Sequence, residues 1–216
     1  MYRETTQKLI SERLNNDIVI DLPLLDDECI KKNIQNICVR ISFNFAISAL
    51  AECWNDVASF EQIQNNIKKR LLQDSLYKYY EHKDKIYLES PKKELSLSDR
   101  IVMSWEDENL RVLTWAVSLT RSLPFPTCTW KVNQITFGSR LYPANNFDVF
   151  MASCKLRTKE EILSQVDLHY CLDWLKLAKP EVFKELKVNS DVLMERRRAL
   201  EWLVSEEGYY DVSLDT

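Results

Sequence analysis

The chain has 216 residues, and its 29 lysines and arginines against 33 aspartates and glutamates give a formal net charge of -4. Only 2 glycines occur, Gly138 and Gly208, and they lie far apart. Phosphate-binding loops, nucleophile elbows and dinucleotide fingerprints need glycine where backbone approaches a ligand or adopts a positive φ. The sequence therefore excludes these motifs, and the acidic charge disfavours a large nucleic-acid or lipid footprint.

Cysteine usage and hydropathy set the expected compartment. The 6 cysteines are spread singly, without a C-x-x-C pair or a nearby histidine pair, so we expect reduced thiols that mostly fill the core and no bound metal or cofactor. The N-terminus lacks the apolar stretch of a signal peptide, and no apolar run is long enough to span a membrane. The prediction is a cytoplasmic protein that does not contact a membrane.

Helical spacing dominates the N-terminal half. An amphipathic helix is predicted over Glu4–Leu14, and a longer helix follows the acidic residues Asp26–Glu28. Its broad apolar stripe is typical of a helix with several neighbours. Ser59–Gln62 has the form of a capping box that opens a third helix, so helices are expected across residues 4–72. Residues 73–97 form a variable connection that no pattern assigns.

The C-terminal half, residues 98–216, continues this pattern. Ser98–Asp99 is expected to cap a helix that runs to Leu123 before Pro124. Residues 127–137 alternate in part, so a small hairpin, a helix and a loop all remain open. Two more helices are predicted, one from the capping box at Thr158 to about Ala178 and one capped by Ser190–Asp191 and ended by Gly208. We predict an all-α single domain over 1–216, a bundle-like array of about six to eight helices.

Four segments of the C-terminal half carry a family resemblance: Lys155–Leu163 (KLRTKEEIL), Asp167–Tyr170 (DLHY), Glu195–Leu203 (ERRRALEWL) and Asp211–Thr216 (DVSLDT). Together they resemble a bacterial family known as domain of unknown function 4272. The chain departs from the family pattern at Cys171, Glu201 and Tyr210, where an arginine, an asparagine and a tryptophan are common. The resemblance implies a shared fold and no mechanism.

The most chemistry-like group in the sequence is formed by Asp167, His169 and Asp173. His169 and Asp173 lie four residues apart, so they meet on one helix face. A carboxylate beside an imidazole suits a base with its orienting partner, or two ligands of a metal. A simple helical side-chain contact is the favoured alternative, because His82 is the only other histidine and a histidine-rich metal site cannot be assembled.

A second polar group lies on the last predicted helix. Glu195 with the consecutive arginines Arg196, Arg197 and Arg198 could clamp a phosphate or carboxylate, with Trp202 stacked on Arg198. The favoured alternative is that Glu195 and one arginine form an interhelical ion pair that ties the last helix to the Asp167–Trp174 helix, while the other arginines are solvated. The resemblance of the tail to the family ending suggests that it is docked, with Asp211 or Asp215 reaching these arginines.

Because no cofactor motif, metal cluster or catalytic triad is present, we expect a non-catalytic domain that binds another protein. One version is an immunity-type or partner protein with an acidic, aromatic surface around Tyr77–Tyr87 that masks a basic toxin. Two alternatives remain. One is a small-ligand binder or hydrolase-like enzyme built on the Asp/His/Glu/Arg group. The other is weak nucleic-acid binding through Lys68–Arg70 and Arg196–Arg198, which the net charge disfavours.

Overall fold

The computed structural model describes residues 2–23, 30–131 and 146–214. Within these ranges the chain forms nine α-helices and two short 3-10 turns, and no strand. The helices are α1 (Tyr2–Leu14), α2 (Ile34–Glu52), α3 (Val57–Gln73), α4 (His82–Glu89), α5 (Leu97–Ala116), α6 (Phe147–Ala152), α7 (Lys159–Ala178), α8 (Pro180–Glu185) and α9 (Ser190–Val204); the 3-10 turns are η1 (Leu76–Tyr79) and η2 (Lys92–Glu94). The predicted all-α class is confirmed.

One helix start is placed as predicted, and the others differ by a few residues. At α7, Thr158 Oγ1 accepts a hydrogen bond from the Glu161 amide at 3.2 Å, and the Glu161 carboxylate accepts one from the Thr158 amide at 3.0 Å. By contrast, Asn33 caps α2, Asp56 caps α3, Ser96 caps α5 and Asn189 caps α9. In each of these helices, a polar residue near the predicted cap accepts hydrogen bonds from the first free amides. The helix therefore begins a few residues away from the predicted start.

The predicted helix ends need a larger correction. Helix α5 stops at Ala116 rather than Leu123, because Ser118 adopts a φ of 60° and turns the chain. Helix α9 stops at Val204, so Gly208 lies beyond it and does not adopt the positive φ expected of a terminating glycine. Gly208 instead allows a close approach, since a Cβ there would lie 2.6 Å from the Asp211 carboxylate.

The structure describes part of the two regions that the sequence left unassigned, residues 73–97 and 127–137. Residues 73–97 contain η1, α4 and η2 and are therefore mostly structured. Residues 127–131 contain no strand, while the rest of the suggested hairpin and Gly138 lie outside the described residues.

Two apolar clusters form the core. The larger one includes residues of α2 and α5, the pair of helices with the most extensive contact, together with Phe60, Leu88 and Phe150 from α3, α4 and α6. The smaller one joins α1, α7 and α8. Helix α7 contributes to both clusters, through Val166 and Leu172, and so does α9, through Leu193 and Leu203. These two helices therefore connect the two halves of the core.

Helix α2 is the one helix, among the described residues, long and apolar enough to cross a membrane. Most of it is buried against other helices, and it packs against α3, α4, α5 and α6. The core helix of a globular fold passes the same test of length and composition, and the burial of α2 favours that interpretation.

Candidate functional site

Four buried arginines, each paired with a carboxylate from another helix, account for four of the ten residues of the predicted polar group. The pairs are Arg3–Asp167 between α1 and α7, Arg40–Asp84 between α2 and α4, Arg196–Glu108 between α9 and α5, and Arg197–Asp173 between α9 and α7. In each pair, the two charged groups lose their hydration and gain a charge-assisted hydrogen bond in the interior. These arginines and carboxylates hold helices together.

The predicted group on α7 is divided among separate partners. Arg3 Nε donates to the Asp167 carboxylate at 2.9 Å, and Arg197 Nη1 donates to Asp173 Oδ2 at 2.6 Å. His169 is fully buried, and its Nδ1 lies 2.8 Å from the Gln165 carbonyl oxygen rather than beside Asp173. Burial lowers the pKa of His169 to about 3, so the imidazole is neutral and its Nδ1–H donates to that carbonyl. The three side chains do not converge on a common reacting atom.

Arg3 also fixes the chain that follows α1. Its Nη1 donates to the Leu22 carbonyl at 2.9 Å and its Nη2 to the Pro23 carbonyl at 3.1 Å. One guanidinium thus connects α1, the Leu22–Pro23 segment and α7. This role of Arg3 could not be predicted from the sequence, because its partner Asp167 lies 164 residues further along the chain.

Each of the three arginines of α9 forms an ion pair and only Arg198 among them is partly exposed, which corrects the prediction that all but one are solvated. Arg196 is fully buried, with Nε donating to Glu108 Oε2 at 2.8 Å and Nη1 to the Pro124 carbonyl at 2.7 Å. Arg198 pairs at 3.0 Å with Glu195, which also accepts from Asn109 of α5 at 3.2 Å. The interhelical pair with α7 is therefore made by Arg197, and Glu195 faces α5 instead.

Trp202 does not stack on Arg198. The cation nearest its ring is Lys32, with Nζ 5.2 Å from the ring centroid, and its aromatic neighbour is Tyr209, with ring centroids 5.6 Å apart. Trp202 is buried and belongs to the larger apolar cluster. It acts as a packing residue between α9 and the tail.

The described part of the tail after α9 is docked by tyrosines rather than by Asp211. Tyr209 is fully buried, and its hydroxyl donates to Glu106 Oε2 and accepts from Asn44 Nδ2, both at 2.9 Å. The hydroxyl of Tyr210 donates to Asp84 Oδ1 at 2.9 Å. Asp211 is exposed and hydrogen bonds through its amide to Gly208, while Asp215 lies outside the described residues.

Arg40 is the centre of this docking network. Its guanidinium forms a bidentate pair with Asp84, donates from Nε to Asn44 Oδ1 at 2.7 Å, and lies 4.4 Å from the Tyr209 ring centroid. In the same network, burial raises the pKa of Glu106 to about 7. The sequence signal for this network was Arg40 itself, a charged residue in an otherwise apolar helical stripe.

A cleft of about 670 Å³ lies between α2, α5 and the segment after α5. Its floor carries the buried Asp107, which accepts a hydrogen bond from Ser48, and its walls include Ile101, Trp105 and Trp130. Except for Glu108, which pairs with Arg196, no residue of the four buried pairs lines this cleft. The polar group predicted from sequence therefore meets the cleft only through the pair of Arg196 with Glu108, among the described residues.

The surface around Tyr77–Tyr87 is basic, which reverses the acidic character predicted for it. Its two acids are engaged inside the fold: Asp84 pairs with Arg40, and Glu81 accepts the backbone amides of Tyr209 and Tyr210 at 3.0 and 3.3 Å. The exposed charges that remain belong to lysines. We use the term lysine-rich surface for the exposed residues Lys69, Leu72, Tyr77, Lys78, Lys85, Ile86 and Lys93.

The elements that carry the lysine-rich surface form one packed unit. Gln64 Nε2 of α3 donates to the Ser90 carbonyl after α4 at 2.9 Å, and Lys68 Nζ donates to the Glu89 carbonyl at 3.2 Å. Helix α3 also contacts η1 and η2. Between residues 68 and 93 basic residues are twice as numerous as acidic ones, although the whole chain is acidic.

Comparison with known proteins gives one match. A family model described as "Domain of unknown function (DUF4272)" matches residues 3–213, nearly the whole chain. No curated protein and no solved structure gives a significant match. The match covers all four buried arginine pairs and the lysine-rich surface.

Proposed function

Since the chain belongs to the DUF4272 family, whose description states no activity, we propose from geometry that it is a non-catalytic domain that binds an acidic protein through its lysine-rich surface. The observation that carries this proposal is the charge of the segment Tyr77–Tyr87, whose acids Asp84 and Glu81 are bound within the fold and whose lysines Lys78 and Lys85 are exposed. Lys69 and Lys93 add exposed positive charge on α3 and η2, and the exposed acids of α3, α4 and η2 are Glu61, Glu89 and Glu94.

Exposed apolar side chains accompany these lysines. Leu72 is 61% exposed, Tyr77 53% and Ile86 46%. Protein interfaces combine apolar and aromatic anchors with a charged rim that steers the partner, and an acidic partner complements this surface. An exposed tyrosine beside aliphatic residues is a suitable anchor.

The burial and pairing of the polar residues predicted from sequence support a non-catalytic role. A general base or nucleophile must reach substrate, whereas Asp167, Asp173 and Arg196 are buried in ion pairs between helices. We also place the protein in the bacterial cytoplasm, an inference that rests on the family resemblance and on cysteine usage typical of a reducing compartment.

The test is a charge reversal with a matched control. The double variant Lys69→Glu/Lys85→Glu alters the lysine-rich surface, and Lys155→Glu/Lys184→Glu reverses two exposed lysines elsewhere. In affinity capture from a nuclease-treated bacterial lysate, wild type and control should retain the same acidic protein, and the first variant should lose it. Cross-links from Lys69, Lys78 or Lys93 to that protein would show that it contacts the lysine-rich surface.

Two results would refute the proposal. One is capture that survives reversal of Lys69 and Lys85. The other is binding of wild type to a fluorescent duplex or single-stranded oligonucleotide that disappears in the same variant and weakens steeply with salt, because nucleic-acid binding would then account for the lysines.

The cleft supports a second candidate, the binding of a small molecule. Trp105, Trp130 and Ile101 offer apolar contacts around the buried Asp107, a combination common in ligand sites. Thermal-shift screening of wild type and Ile101→Arg, which obstructs the cleft, tests it. A ligand that stabilises wild type and not Ile101→Arg supports the site, and equal stabilisation of both places the ligand elsewhere.

A further inference from the structure

The cleft between α2 and α5 places charges of opposite sign at different depths. Its charged lining residues are Glu52, Arg100, Asp107, Glu108 and Lys131. Asp107, on the floor, is only 6% exposed and Glu108 is buried, whereas Arg100 is half-buried and Lys131 is exposed. The buried acids therefore lie deep in the cleft, and the cations lie nearer to solvent.

The two buried acids have hydrogen-bond donors within the fold. Asp107 accepts a hydrogen bond from the Ser48 hydroxyl. Glu108 accepts one from Arg196 Nε at 2.8 Å and another from the Trp130 amide. Because a buried polar group is stable only when it is hydrogen-bonded, these contacts hold both carboxylates in place at the floor.

The cations nearer to solvent are paired less completely. The guanidinium of Arg100 forms no ion pair and no hydrogen bond with any residue that the structure describes. Lys131 interacts with Glu52, since burial raises the pKa of the Glu52 carboxyl and the positive charge of Lys131 opposes that rise. Glu52 therefore offsets Lys131, and the charge of Arg100 stays uncompensated at the rim of the cleft.

Arg111 adds positive charge behind one wall of the cleft. Its guanidinium lies 5.4 Å from the centroid of the Trp130 ring, and within the described ranges it forms no ion pair. Burial lowers the pKa of Arg111, the charge of Arg196 lowers it further, and Glu108 opposes the shift. Two guanidiniums thus share one carboxylate, which leaves an excess of positive charge beside Trp130.

Apolar surface lies directly beside these cations. Leu97 is 68% exposed and Ile101 59%, and both line the cleft from α5. Trp105 follows Ile101 four residues later on the same face of the helix, and Trp130 supplies a second indole from the segment after α5. A concave site that combines apolar walls with a few charged groups is typical of small-ligand pockets.

We propose that the cleft binds an organic anion, a carboxylate or a phosphate carried on a flat apolar body, with its anionic group held by Arg100. This inference rests on the small-molecule function proposed for the cleft and adds the class of ligand. A guanidinium fork binds either group through two hydrogen bonds. The apolar body packs against Ile101, Trp105 and Trp130, and Asp107 repels an anionic group from the floor, so the ligand has one orientation.

The experiment compares four probes that share one apolar body. Naphthoate and naphthyl phosphate carry the two anionic groups, naphthamide is the uncharged analogue, and naphthylmethylamine is the cationic one. Dissociation constants for the full chain are measured by ligand-observed NMR titration at low ionic strength. We expect both anions to bind about tenfold more tightly than the amide and the amine. The order of the two anions shows whether a carboxylate or a phosphate fits better.

Variants test the two halves of the site separately. Arg100→Gln should weaken naphthoate binding about tenfold and leave naphthamide binding unchanged, because it removes only the charge. Ser104→Trp adds bulk without charge at an exposed position of the cleft and should abolish binding of every probe. Arg121→Gln is the matched control, since it removes an exposed arginine that does not line the cleft, and it should bind all probes as wild type does.

Two results would overturn the anion assignment while the cleft remains a small-molecule site. One is binding of naphthamide or naphthylmethylamine as tight as that of naphthoate, and the other is naphthoate binding that Arg100→Gln does not weaken, each with loss in Ser104→Trp. Naphthoate binding that Ser104→Trp does not reduce would overturn both the anion site and the cleft as the place of binding. Failure of all four probes to bind would overturn the anion assignment as well.

Discussion

Arg196 shows how strongly the interior depends on single charges. Its guanidinium is fully buried, pairs with Glu108, and leaves Nη2 without a hydrogen-bond partner within the part of the chain that the structure describes. Removing the cation would leave Glu108 as an uncompensated buried charge. We therefore expect Arg196→Met to lower the free energy of unfolding by about 3–5 kcal/mol, measured by urea denaturation.

Arg198 is the matched control for this change. It lies two residues further along α9, but its side chain is 30% exposed in its pair with Glu195. Solvent screens that pair, so Arg198→Met should cost about 1 kcal/mol or less. Equal losses for the two variants would contradict the structural role assigned to Arg196.

Because His169 is buried as a neutral ring, we expect the free energy of unfolding to fall in acid. Its pKa in the folded protein is about 3, because burial disfavours the imidazolium, whereas an unfolded histidine titrates near 6.5. Below pH 6.5 the unfolded chain therefore binds a proton that the folded chain does not, and stability falls as the pH drops towards 3. At pH 5 this contribution amounts to about 2 kcal/mol, and His169→Leu should abolish it.

The measurement is the free energy of unfolding between pH 5 and 7.5. Relative to wild type, His169→Leu should gain stability as the pH falls, because other titrating groups contribute equally to both proteins. Parallel curves for wild type and His169→Leu would mean that the imidazole is not buried as a neutral ring.

The tail after α9 behaves as a structural element even though it is not helical. Tyr209 and Tyr210 close the network of Arg40, Asp84 and Glu106 between α2, α4 and α5. Truncation after Gly208 removes a fully buried aromatic side chain, a loss of about 3–5 kcal/mol. The melting temperature should fall by on the order of 10 °C.

A shorter truncation supplies the control. Ending the chain after Val212 keeps both tyrosines together with Val212, which packs against the larger apolar cluster. Its melting temperature should stay close to that of the full chain. If both truncations melt alike, the tyrosines do not hold the tail.

Local chemistry explains which elements could be predicted from sequence. The start of α7 was predicted correctly because Thr158 and Glu161 satisfy each other's amides within four residues. Asn33, Asp56 and Asn189 were missed because polar neighbours compete for the same role, and only the folded backbone selects among them. The short helices α6 and α8 were missed because six residues carry too little periodicity.

The site was less predictable because its partners are distant in sequence. Arg3 and Asp167 are separated by most of the chain, as are Arg40 and Tyr209. A charged residue in an apolar stripe indicates a buried partner, but it does not indicate which carboxylate that partner is.

At the scale of the whole molecule, the two apolar clusters raise the question of whether they unfold together. Helices α7 and α9 contribute to both, and Arg197 with Asp173 joins these helices at the boundary. Neither cluster can lose these helices without exposing the other. We therefore expect a single cooperative transition, in keeping with the one domain predicted over residues 1–216.

The test compares probes that report on different clusters during urea unfolding. Trp174 packs on the smaller cluster, whereas Trp54, Trp115 and Trp202 belong to the larger one. Fluorescence of wild type and of Trp174→Phe should give the same midpoint as far-ultraviolet circular dichroism. Hydrogen exchange in α1 and α2 should reach the same free energy under mild denaturant, because helices of both clusters open in one global step. A lower-energy opening of α1, α7 and α8 would instead divide the chain into two folding units and contradict the role assigned to α7 and α9.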